Sequence, residues 1–152
     1  MSFADLPDEF IFTSGVGAWA TMLQVSEDRF FTGSFSDQDS NEFYVCDFHG
    51  QLGEIKKVSE YLYQADILSV EADRPSGTET DGPITYHYAD EGRGFPKDSK
   101  VMSIYLPDAP YNSFSDKLKQ WILLKPDDSS DSLGYYVLAV DDLYTFCESQ
   151  SN

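Results

Sequence analysis

The stretch Trp19-Ala20-Thr21-Met22-Leu23-Gln24-Val25, the triplet Ser26-Glu27-Asp28, and then Arg29-Phe30-Phe31-Thr32-Gly33-Ser34-Phe35 decide the fold. Successive side chains of an extended chain point to opposite faces, so Trp19, Thr21, Leu23 and Val25 share one face and Ala20, Met22 and Gln24 the other. Phe31, Gly33 and Phe35 share a face in the same way beyond the polar triplet. Two alternating runs around a short polar turn predict a β-hairpin.

The same period continues outward. Residues 36–41 read as an acidic loop, and residues 42–48 return to alternation with Tyr44, Cys46 and Phe48 on one side. Residues 61–70 predict a long strand carrying Tyr61, Tyr63, Ala65 and Ile67 on one face. Residues 73–82, rich in Ser, Thr, Gly and charge, predict an exposed loop. Pro83 opens a strand with Ile84, Tyr86 and Tyr88 in alternation, a position where a missing amide is tolerated. Gly92 and Gly94 mark a turn before residues 101–106, and the runs 135–140 and 143–147 come last.

One segment keeps a different period. Phe114, Leu118, Trp121 and Ile122 fall at i, i+4, i+7 and i+8, a helical stripe. Ser113 and Asp116 supply an S-x-x-D start signal, and Pro126 bars continuation. Neither a repeat nor a linker divides the sequence, so residues 1–152 are expected to form one domain. The expected architecture is all-β: an antiparallel barrel of seven to eight strands, with one short α-helix before the last strands.

Composition narrows the function classes. The chain has 152 residues, 27 acidic against 10 basic, and a net charge of −17. At 41% hydrophobic and 15% aromatic it is too apolar for a disordered acidic tail. The charge argues against nucleic acid, whose condensed counterions are displaced by Lys and Arg, and equally against an anionic membrane surface. The start, residues 1–9, lacks the basic and apolar regions of a signal peptide, so a cytoplasmic location is expected. In that reducing compartment Cys46 and Cys147 are expected as buried free thiols, although spacing alone fixes no pairing.

Gly17, Ala18 and Trp19, with Phe31-Thr32-Gly33-Ser34-Phe35 after the turn, resemble the G-x-W start of the calycins: lipocalins, fatty-acid-binding proteins and avidins. The resemblance implies a barrel with Trp19 at its closed end on the first strand, and Gly17 and Trp19 as the structural signature. Lipocalins place a basic residue from a late strand on that Trp, whereas Arg29, Arg74 and Arg93 all come earlier and nothing basic follows Lys125. Leu6-Pro7-Asp8-Glu9-Phe10-Ile11-Phe12, with 14–19, Ile55-Lys56-Lys57-Val58 and Tyr105-Leu106-Pro107, is similar to an uncharacterised Gram-positive bacterial family. Its members stand alone or follow a zinc ribbon, and the family implies no activity.

Candidate chemistry is sparse. Cys46 and His49 form C-x-x-H, half a zinc signature, but an odd separation on a strand sends them to opposite faces. Asp37, Asp39 and Asn41 imitate the start of a calcium loop that fails at Glu42, where Gly is needed, and at Phe48, where the bidentate Glu belongs. The clusters 127–131 and Asp141-Asp142 read as solvated acidic surface. A hydrolase would have to use His49 or His87, and no G-x-S-x-G elbow accompanies either. No metal, cofactor or catalytic residue is therefore expected.

Tyrosines on strands are the most suggestive feature. Packing is their default, and the functional alternative is an aromatic cavity or platform, with hydroxyls to orient a ligand or partner, drawn from Tyr44, Tyr63, Tyr86, Tyr88, Tyr135 and Tyr136. The expected function is a non-enzymatic binding or protein-interaction module with a protein partner. A carrier of a small apolar ligand in the barrel interior ranks second, and a hydrolase-type enzyme third.

Overall fold

The computed structural model describes residues 1–15, 17, 19–128 and 130–149. Among them the chain forms strands β1 (Phe10–Phe12), β2 (Trp19–Val25), β3 (Phe30–Asp39), β4 (Glu42–Leu52), β5 (Lys56–Lys57), β6 (Leu62–Ala72), β7 (Gly77–Asp81), β8 (Ile84–Tyr88) and β9 (Val101–Tyr105). The one-turn helix α1 (Asp116–Lys119) then precedes β10 (Val137–Val140) and β11 (Tyr144–Glu148).

Strands β1, β2, β3, β4, β6, β9, β10 and β11 are neighbours in chain order, and β11 pairs back to β1. Every pairing in this ring is antiparallel, so the molecule is a closed, eight-stranded, up-and-down barrel of the calycin-like kind. The strand count expected from alternation holds, but its membership differs. The run at Ile84–Tyr88 lies outside the barrel, and Phe10–Phe12, which is too short to show a period, takes the eighth place.

The inward face follows the sequence period along β2, β3 and β4. Leu23, Phe31, Phe35, Cys46, Phe48 and Leu52 are all buried in one core with Phe10, Phe12, Met102, Ile104, Leu138 and Phe146. Along β6 the period slips at Leu68, where the register with β4 shifts: Ala65 and Ile67 face in before it, Val70 and Ala72 after it. Leu68 itself stands out at 61% exposed.

The rings inside are accommodated by missing ones. Phe31 lies opposite Gly50, and Phe48 opposite Gly33, across the β3–β4 pair. A Cβ on Gly33 would sit 2.1 Å from Phe48 Cζ, and one on Gly50 2.3 Å from Phe31 Cζ. The segment between β8 and β9 folds into the barrel and delivers Phe95, fully buried, which stacks on Phe31 at 4.9 Å and also touches Phe48 and Phe146. Thr21 anchors that segment by donating its buried hydroxyl to the Arg93 carbonyl at 2.7 Å.

The helical stripe is realised only in part. Phe114, Leu118 and Ile122 are buried in a second core on the outer wall, with Tyr105, Val137, Ala139 and Cys147, which is why β10 is buried on both faces. The cap is Ser115, whose side chain accepts from Leu118 N at 3.3 Å; Ser113 instead closes a 3₁₀ turn, its hydroxyl on Pro110 O. Trp121 leaves the stripe and packs against the barrel core, 4.5 Å from Phe12.

Candidate functional site

The β3–β4 hairpin is longer than the barrel wall needs. Its register runs unbroken from Phe30↔Gln51 to Asp39↔Glu42, so the acidic segment 36–41 is mostly strand, not loop, turning at Ser40 and Asn41. Beyond the barrel, Glu42–Val45 pairs in parallel with β8, and β8 pairs with β7. The segment expected as an exposed loop, 73–82, therefore contains the strand β7, with all five residues exposed. Together these strands form a four-stranded arm continuous with the barrel.

Register assigns the tyrosines to faces. Phe43 pairs with Tyr86 and Tyr44 with His87, and directly paired residues share a face. One face thus carries Phe43, Tyr86 and Tyr88, with Phe43–Tyr86 stacked at 5.5 Å and Tyr86–Tyr88 at 6.4 Å. Arg74 lays its guanidinium 4.1 Å over the Tyr88 ring, and Tyr88 donates its hydroxyl to Glu79 at 3.1 Å. The opposite face carries Tyr44, stacked on His87 at 4.6 Å with the rings nearly parallel.

The other tyrosines lie elsewhere. Tyr63 and Tyr136 pack half-buried against the barrel core, and Tyr135 is buried in the outer core, donating its hydroxyl to Leu124 O at 2.9 Å. That burial pushes the Tyr135 phenol far above its ordinary value. Of the six, Tyr86 and Tyr88 share a face of the arm, whereas Tyr63 and Tyr136 turn to the core of the barrel. Phe43 and Arg74 complete that surface and were not among the residues singled out from the sequence.

Trp19 stands at the end of the barrel beside Phe12 and Trp121. The basic partner not found among late residues is Arg93, whose guanidinium lies 4.5 Å over the Trp19 ring and 3.8 Å from Asp37. It reaches Trp19 from the segment before β9, a position that chain order did not suggest. Gly17 precedes Trp19 at a bend with φ +117°, in the region that favours glycine.

The remaining candidates separate as alternation requires or are already engaged. Cys46 is buried inside and His49 is exposed outside, and burial pushes the Cys46 thiol up to about 11. Cys147 is also buried, and the two thiols are free. The Asp141 carboxylate, expected as solvated surface, instead accepts from Lys100 N and Val101 N at 2.9 and 3.0 Å. Both nitrogens of His49 face carboxylates: Asp73 at 2.6 Å and Glu71 at 3.5 Å. His87 Nε2 is buried without a hydrogen-bond partner and lies 3.5 Å from the Glu42 carboxylate.

The hydrogen bond to Asp73 raises the His49 pKa above the ordinary 6.5. A raised folded-state value means that the pair stabilises fully below pH 6.5 and that this contribution is lost as pH rises through the folded value. An NMR titration should place the His49 midpoint above 6.5, and Asp73→Asn should lower it. An identical midpoint in the two proteins would remove Asp73 as the cause.

No protein-family model, curated protein or solved structure matches this chain.

Proposed function

We propose that the chain is a non-enzymatic protein-interaction module whose contact surface is the aromatic face of the arm. The observation that carries this reading is the half-buried row Phe43, Tyr86 and Tyr88, set outside a barrel whose own interior is filled by side chains. A packed barrel does not need a four-stranded arm for its core. Aromatic rings that stack on one another at a surface offer large contact area at small entropic cost, as binding surfaces do.

Two observations favour this reading over its rivals. A carrier needs a preformed apolar cavity, and Phe31, Phe48, Phe95 and Phe146 occupy the space where a ligand would sit. A hydrolase would need His49 or His87 against a nucleophile, whereas both ring nitrogens of His49 and Nε2 of His87 face carboxylates. The two buried, free thiols suit a reducing compartment, in keeping with a cytoplasmic protein, and the charge of −17 suits neither nucleic acid nor an anionic membrane.

The test is a double substitution, Phe43→Ser with Tyr86→Ser. The full-length tagged protein, recovered from its own host, should bring down a protein partner that the variant binds about thirtyfold more weakly, as expected for losing about 2 kcal/mol at a hot spot. The variant's melting temperature, measured alongside, should stay close to that of the parent. Equal recovery of the same partners by both proteins would remove the arm face as the contact surface.

A further inference from the structure

Strand β7 ends the arm, and among the described residues it pairs with β8 alone. Its turn to β8 has two residues, Gly82 and Pro83, which makes Asp81 and Ile84 a hydrogen-bonded pair. Hydrogen-bonded and non-hydrogen-bonded pairs alternate along an antiparallel ladder, so the backbone groups of Thr78 and Thr80 point to the open edge. That edge is a row of donors and acceptors able to take another strand.

The side chains along the edge decide which strand. Glu79 and Asp81 pair with Tyr86 and Ile84, and so stand on the aromatic face. If a second copy added in antiparallel register centred on Glu79, it would place Glu79 opposite its own counterpart, in a chain already carrying −17. Like charges directly opposite are destabilising, so the edge opposes self-pairing. A strand with arginine at alternate positions meets the reverse situation: its guanidiniums face Glu79 and Asp81 and reach towards the rings beside them. The protein already displays this contact once, in Arg74 over Tyr88 at 4.1 Å, with Glu79 hydrogen-bonded to the same tyrosine.

We infer that the partner of the arm is an extended, arginine-bearing segment of another protein, which adds to β7 as a further strand and lays its guanidiniums on the aromatic face. The inference rests on the arm being the contact surface and adds the occupant's chemistry and its mode of docking. Main-chain pairing to Thr78 and Thr80 supplies affinity, and the alternate side chains supply selection. The negative field of the whole chain speeds the approach of such a segment and weakens with salt.

The experiment uses the full chain, isotopically labelled, and the peptide Arg-Thr-Arg-Thr-Arg with blocked ends, followed by NMR. The amides of Thr78 and Thr80 should shift on titration and become protected from exchange. The same peptide N-methylated at its central residues, which cannot complete a ladder, should bind about tenfold more weakly, as should the parent peptide to Thr80→Pro. Arg74→Ser should strengthen binding about threefold, because it vacates the Tyr88 ring.

Several outcomes would overturn the inference. Binding that leaves the β7 amides unmoved would be charge attraction alone, and equal binding of Glu-Thr-Glu-Thr-Glu would remove the selection for cations. Concentration-dependent β7 shifts without peptide would make a second copy the occupant. If the arginine peptide fails while Phe43→Ser with Tyr86→Ser still loses its partner, the cationic strand falls and the arm surface stands. If the double substitution loses nothing, the surface itself is wrong.

Discussion

Gly50→Ala is expected to destabilise the protein by about 3 kcal/mol or more, at the upper end of overpacking costs because nothing near the new methyl can give way. The Cβ would lie 2.0 Å from the backbone oxygen of Ser69 and 2.3 Å from Phe31 Cζ. Ser69 is the residue paired with Gln51, beside the bulge that lets β6 close on β4. Moving its carbonyl means moving the seam of the barrel. Phe31 has no freer choice, since it is stacked on Phe95. For a chain of this size about 3 kcal/mol corresponds to a fall of roughly 6–12 °C in melting temperature. For Gly33→Ala the nearest atoms belong to the Phe48 ring, the closest Cζ at 2.1 Å, and the cost should be smaller because a ring can turn where a backbone carbonyl cannot. A Gly50→Ala protein melting within 2 °C of the parent would show that the seam is loose.

The difference between the two glycines shows what alternation can and cannot convey. From the sequence, Gly33 sits on the inward face between Phe31 and Phe35, so barrel-side placement is legible. That Phe48 would lie opposite it depends on a ten-pair register, set by where the chain turns at Ser40 and Asn41. The long hairpin hid this, because its acidic tip has the composition of a loop. Composition reflects exposure, and an exposed strand such as β7, Gly-Thr-Glu-Thr-Asp, has a loop's composition with a strand's hydrogen bonds. Strand β1 failed for the opposite reason. Phe-Ile-Phe is apolar at all three positions, and its place in the ring comes from pairing with β2 and β11.

The arm was legible only residue by residue. Tyr44, Tyr86 and Tyr88 all occupy alternating strand positions, which suggested one surface. The parallel β4–β8 register places Tyr44 opposite His87 and Phe43 opposite Tyr86, and a shift of one residue would have reversed the outcome. No local pattern encodes that choice. Arg93 is comparable: its pairing with Trp19 follows from the fold of the segment before β9, tied down by Thr21, and not from the order of basic residues along the chain. Long-range geometry thus supplied the site, while the period-two pattern supplied the barrel that carries it.

Phe95→Ala is the second large expected effect, and it bears directly on why this barrel is not read as a carrier. Phe95 is fully buried and touches Phe31, Phe48 and Phe146, yet it comes from a connecting segment and not from the wall. Removing its ring should cost about 3–5 kcal/mol, the usual range for Phe→Ala in a core. The melting temperature should fall by roughly 6–20 °C. The wall strands are held by closed antiparallel pairing, so they should not collapse onto the vacated space, and the void would be lined by aromatic rings and remain dry. Such a void takes small apolar molecules, and a ligand that binds only the folded state raises its melting temperature in proportion to the logarithm of its concentration. The parent protein should therefore show no saturable uptake of a fluorescent fatty acid and no rise in melting temperature with benzene, whereas Phe95→Ala should regain several degrees with benzene. A parent protein that bound the fatty acid one-to-one at sub-micromolar concentration would return the interior to the list of binding sites. A variant that neither lost stability nor responded to benzene would mean that Phe95 is not the side chain filling the barrel.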